Sequence, residues 1–114
     1  MKTINYELAK KLYDAGVKIK SEKNYEQDET LIDSNNPFDI VQYPAPNCEE
    51  VIEFLSDIKI DKFHLSIDFC SWLTIVNYRS SGSILFPYIE EPTLLEALEA
   101  TLEYLLDNWY ILKQ

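Results

Sequence analysis

Phe63-His64-Leu65-Ser66-Ile67-Asp68-Phe69-Cys70 alternates apolar and polar side chains without a break. Successive strand residues point to opposite faces, so Phe63, Leu65, Ile67 and Phe69 share one side. His64, Ser66, Asp68 and Cys70 share the other. That pattern predicts a strand with one buried face and one wet face. Downstream, Trp72 to Tyr78 reads as a second strand, Arg79 to Gly82 as a turn, and Ile84 to Ile89 as a third strand. Pro87 cannot donate to a ladder, which places that third strand at a sheet edge.

Helices flank this strand cluster. Thr93 and Glu96 read as a capping box opening a long helix from Leu94 towards Trp109. At about 100° per residue, Leu95, Leu98, Leu102, Leu105, Leu106 and Trp109 fall within one arc of roughly 100°. This leucine face is expected to lie on the Phe63/Leu65/Ile67/Phe69 side of the sheet. Upstream, Asn47 caps a second helix, with Glu50 completing a capping box and Val51, Ile52, Phe54, Leu55 and Ile58 on its inner side. Tyr43-Pro44-Ala45-Pro46 before it must be extended.

At the start of the chain, Asn5 caps a helix running to Ala15, with Leu8 and Leu12 on one face. Gly16 is its C′ stop and Val17 is placed to complete a Schellman ending. Val17 to Ile32 is polar and suits two short strands around Gln27-Asp28-Glu29. A turn at Asp33–Asn36, Pro37 and a short apolar run from Phe38 to Val41 follow. Strands clustered between helices predict an α+β fold, a mainly antiparallel three- to five-stranded sheet with helices on one face. The length suits one domain over residues 1–114.

The formal net charge is −10, unevenly spread. Residues 1–23 hold six lysines against Glu7, Asp14 and Glu22; the remaining chain holds four basic residues against seventeen acids. Such a body repels nucleic acid and attracts a basic protein surface. On the last helix, Glu96, Glu99, Glu103 and Asp107 gather within roughly 80°. None has a Lys or Arg three or four positions away, so the row is expected to be self-repelling. The start of the chain lacks a secretory apolar segment, and the longest apolar run is six residues, Ile84 to Ile89. A cytoplasmic protein without a membrane partner is expected.

Little in the chain suggests catalysis. His64 and Cys70 share a strand face but are roughly 20 Å apart at about 3.3 Å per residue. Asp68, roughly 13 Å from His64 by the same spacing, is also out of reach. Cys48 sits at a helix start that favours a thiolate, beside Glu49 and Glu50 that oppose one. Zinc spacing is missing, and Asp33-Ser34-Asn35 fails as a calcium loop because Pro37 and Phe38 follow. The two glycines are isolated, so no phosphate loop is expected. The reading is no catalytic residue, no metal and no cofactor, with His64 and Cys48 as the alternative for a small enzyme.

Three segments carry a resemblance: Glu7 to Val17, Tyr43-Pro44-Ala45-Pro46 leading into Glu49 to Leu55, and Glu91 to Leu98. Together they resemble small phage- and prophage-encoded proteins with an ELAKKLxxAG start, an APTxxE helix start and an EALAxxL closing helix. Asn47 and Cys48 stand where that pattern has Thr. The resemblance implies a phage accessory protein in the host cytoplasm that binds and blocks a host component. A sharper expectation is an acidic, DNA-mimic-like inhibitor of a host defence or nucleic-acid enzyme, as anti-CRISPR proteins are. Glu96, Glu99, Glu103 and Asp107, aided by Glu90 and Glu91, would then meet a basic protein partner. The alternative is a structural or self-assembling phage component, with Trp109-Tyr110-Ile111-Leu112 extending an apolar patch for a homodimer or else completing the core.

Overall fold

The computed structural model describes residues 2–33, 41–85, 89–108 and 110–111. Helix α1 (Tyr6–Asp14) starts where the Asn5 side chain accepts from the Leu8 N–H. It ends in the expected Schellman geometry. Val17 N–H bonds the Leu12 carbonyl and Gly16 N–H that of Tyr13, with Gly16 at φ 81°. That left-handed conformation favours glycine. Val17 and Ile19 then bury alternately along the polar connection.

The fold is α+β, with two antiparallel sheets rather than one. Strands β1 (Lys23–Glu26), β2 (Leu31–Asp33) and β3 (Gln42–Pro44) form the first, in the order β2-β1-β3. The β1–β2 hairpin turns where the sequence placed it, with Glu29 at φ 70° and the Asp28 carboxylate accepting from Thr30 N–H. Edge-to-face contacts of Tyr6 with Tyr25 and Tyr43, and of Tyr13 with Tyr43, fasten this sheet to α1. The expected turn at Asp33–Asn36 and the start of the Phe38–Val41 run lie outside the described residues.

Helix α2 (Cys48–Asp57) carries a complete capping box between Asn47 and Glu50. The second sheet is built on β5 (Thr74–Ser80), which pairs on one side with β4 (His64–Phe69). On its other side it pairs with β6 (Ser83–Ile84) and β7 (Ile89–Glu91). The expected third strand is thus two short strands on one edge; Pro87 lies outside the described residues. Helix α3 (Leu94–Asp107) follows and buries Ala97, Leu98, Thr101, Leu102, Leu105 and Leu106. Only half of its expected capping box forms. The Glu96 carboxylate accepts from the Thr93 hydroxyl, and that hydroxyl accepts from Glu96 N–H.

One hydrophobic cluster runs from Ile4 to Ile111 and draws on all three helices. Its arrangement corrects two expectations. Helix α3 lies on β5 and β7, whereas β4 packs against α2; the short link from β7 into α3 keeps that helix beneath the strands it leaves. Phe69, expected inside, is 70% exposed, and Trp72 in the turn after it is 80% exposed. Helix cover ends before the hairpin tip. Ile111 is fully buried, so it completes the core and is not part of an outer apolar patch.

Candidate acidic binding surface

The acidic row of α3 is not bare. Glu99 accepts from the backbone N–H and the side-chain amide of Asn5, at 2.7 and 2.9 Å. The Lys11 ammonium bridges Asp107 at 2.8 Å and Glu103 at 3.3 Å. The neutralising charge comes from α1, distant in sequence, which is why local spacing missed it. Asp107, together with Glu103, holds the Lys11 pKa above its ordinary value. Glu96 is engaged with Thr93. Glu90 and Glu91 lie apart on β7, opposite Ile75 and Thr74 on the neighbouring strand.

A second acidic row was legible in spacing but not singled out. Glu49, Glu53 and Asp57 recur every four residues along α2, and all three are exposed. At 1.5 Å rise per residue, neighbours stand about 6 Å apart along the axis. Among the described residues none of the three forms an ion pair. They line an open groove of ≈ 540 Å³ with Glu22, Glu50, Phe54, Ser21 and Lys20. The two oxygens of Glu50 are already used: one closes the capping box, the other accepts from Glu22 N–H at 2.8 Å. That bond pins the Lys20–Glu22 segment as the groove's far wall.

Electrostatics within α2 are lopsided. Glu49 and Glu50 in the first turn suit the helix dipole, but the last turn carries no basic residue. Asp57 therefore faces the negative end of the dipole. Beyond it the surface continues into a hollow of ≈ 510 Å³ lined by Asp57, Lys59, Asp61, Phe63 and His64.

His64 and Cys48 are not brought together. His64 lies beside the C-terminal end of α2, whereas Cys48 opens its N-terminal end, roughly 13 Å away along the axis. Burial, and secondarily Glu99, pushes the Cys48 thiol pKa upward, which disfavours a thiolate. Among the described residues, no three His, Cys, Asp or Glu side chains converge to hold a metal ion. No described helix is long and apolar enough to cross a membrane.

The lysines of the first 23 residues are partly engaged by carboxylates. Lys11 binds α3, Lys23 bonds Asp33, and Lys20 lines the acidic groove. No family model, curated protein or solved structure matches the chain.

Proposed function

We propose that this protein acts without catalysis, by binding one-to-one to a basic surface on another protein. The contact surface of this reading is the α2 face, with Glu49, Glu53 and Asp57 as its anionic row. One observation carries it: three exposed carboxylates at four-residue spacing, unpaired among the described residues and ending against the helix dipole. Like charges at this spacing destabilise a helix by about 0.2–0.5 kcal/mol per pair. Functional sites are among the places where a protein keeps such a local cost. Glu90, Glu91 and the α3 acids supply background potential in this reading, since Lys11 and Asn5 already engage most of the α3 row.

Such a row offers a basic groove the regular negative charge that a nucleic-acid strand would offer. This keeps the DNA-mimic reading and moves it from α3 to α2. The provenance that goes with it is the phage accessory class, on the resemblance of the three segments named above. The separation of His64 from Cys48 supports a non-catalytic role.

The test is affinity capture from the cell that carries the gene, with a Glu53→Lys/Asp57→Lys variant beside the unaltered chain. The expected result is a basic protein retained by the unaltered chain, released by rising salt and by added duplex DNA, and lost from the variant. A Glu99→Lys/Glu103→Lys variant should weaken capture much less. Equal retention by the α2 variant would show the reading to be wrong.

A further inference from the structure

Strand β4 has one free edge. Among the described residues it pairs only with β5, and the hairpin phase fixes which of its backbone groups point away. Cys70 N–H bonds the Leu73 carbonyl. Facing residues of an antiparallel ladder alternate between bonded and non-bonded pairs. Residues 64, 66, 68 and 70 therefore direct their N–H and C=O groups to β5, and Leu65, Ile67 and Phe69 direct theirs outward. Among the described residues no hydrogen bond reaches those outward groups.

This edge lacks the devices that keep an edge single. From His64 to Phe69 there is no Pro, Gly, Lys or bulge, although such features normally block edge-to-edge pairing. Its one charge, Asp68, is paired with Arg79 on the neighbouring strand. The residues whose backbone is free are also the apolar ones. Leu65 and Ile67 are half-buried, and Phe69 is exposed, as is Trp72 in the turn that follows.

We propose that β4 is a self-association edge, occupied by β4 of a second copy of this chain around a twofold axis at Ile67. Symmetry and the pleat restrict the register to facing residues of like parity, and centring it on Ile67 lets Leu65, Ile67 and Phe69 pair among themselves without calling on Phe63, whose N–H already bonds Ile60. A twofold axis normal to the sheet keeps each residue on its own face, so facing residues must have the same parity. With Ile67 facing the partner's Ile67, Leu65 faces the partner's Phe69, and each pair exchanges two backbone hydrogen bonds. Phe69 then gains the apolar neighbour that its own chain does not supply.

The other face of the same register is free of conflict. Asp68 meets the partner's Ser66 and His64 meets the partner's Cys70, so like charges never oppose each other. That matters for a chain of net charge −10. The register also brings the Trp72 turn to the start of the partner's strand, where Lys62 and Phe63 lie.

The area suffices. Burying an aromatic ring covers about 150–250 Å², and Phe69 and Trp72 are largely uncovered on each copy. Four such rings with two strand edges reach about 1,000 Å², the size at which a specific interface becomes credible.

Light scattering over a range of concentrations tests the association. The mass should rise from 13.4 kDa towards twice that value. Phe69→Lys, at an exposed position, should stay monomeric and, at concentrations low enough for the unaltered chain to be monomeric too, should melt at the same temperature.

The register has its own test. In His64→Cys, mild oxidation should give a covalent dimer through the partner's Cys70, because non-bonded pairs stand about 4.5 Å apart at Cα, within disulfide reach. Cys70→Ser in that background should abolish it. A monomer at every concentration overturns the proposal. So does a dimer that survives Phe69→Lys, or a His64→Cys chain that forms no covalent dimer.

Discussion

The phenolic hydroxyl of Tyr78, in the middle of the central strand, donates to the carbonyl of Leu55 at 2.9 Å, inside the core. Leu55 lies in the last turn of α2, where carbonyls have no partner within the helix. The residue after that turn, Ile58, is extended, so no Schellman ending closes it. Tyr78 thus supplies from the sheet a cap that the chain does not supply locally. Tyr78→Phe keeps the ring and leaves that acceptor unsatisfied. The expected loss is about 1–3 kcal/mol, read as a lower urea midpoint with an unchanged slope.

The same burial makes this hydroxyl hard to ionise, and its pKa is pushed well above the ordinary value near 10. The folded protein therefore holds a proton that the unfolded chain releases. By linkage, stability is unaffected by this group below pH 10 and falls as pH rises beyond it. Tyr78→Phe should flatten that alkaline decline. Denaturation midpoints between pH 9 and pH 11.5 measure it, and an equally steep decline in the variant would refute this account.

Lys11 holds two acids of another helix, so its removal has two consequences. Lys11→Gln should cost no more than about 1 kcal/mol, since the groups are exposed and such pairs are weak. Added salt should recover part of the loss, because it screens the Glu103–Asp107 repulsion that the ammonium had masked. The sign with pH follows from a raised pKa. The contribution of Lys11 is present below its ordinary value of 10.5 and fades as pH rises through the raised one. Thermal melts of both chains at low and high salt decide the matter.

Local signals in the chain were reliable, and long-range ones were not. The caps at Asn5 and Asn47, the Gly16 stop, the hairpin around Asp28 and the alternation from His64 to Phe69 all rest on neighbours within a few residues. Each appears in the fold, except that the apolar face of the His64–Phe69 strand ends with Phe69 exposed rather than inside. What stayed hidden depended on which element lies over which. Periodicity gave α3 an apolar face, but only the short link from β7 decides that β5 and β7 receive it. Lys11 and Glu103 are 92 residues apart, so no spacing rule foretold that the α3 row is engaged. The α2 row was visible at four-residue spacing. Each helix holds four acids, and spacing alone does not show that the α3 row is the one bridged by a lysine.

A binding surface kept at local cost should become more stable when its charge is reversed. Asp57→Lys replaces an acid at the negative end of the α2 dipole with a base, a change worth about 0.3–1 kcal/mol. It also removes one like-charge contact, with Glu53. The variant should melt higher than the unaltered chain, most clearly at low salt, while losing the captured partner. Lower stability in Asp57→Lys would mean that this carboxylate has a structural role.

The two cysteines should differ sharply in reactivity. Cys70 is exposed in the hairpin turn, whereas Cys48 is half-buried at the α2 start with its pKa raised, chiefly by burial and then by Glu99. A raised pKa leaves less thiolate at a given pH, and the thiolate is the reacting form. Iodoacetamide at pH 8 should therefore label Cys70 first, as peptide mass mapping over time would show. Glu99→Gln removes the smaller of the two causes, so Cys48 should speed up only modestly and remain the slower thiol. Labelling of Cys48 ahead of Cys70 would mean that the helix dipole outweighs both burial and Glu99, reversing the electrostatic balance assigned to this end of α2.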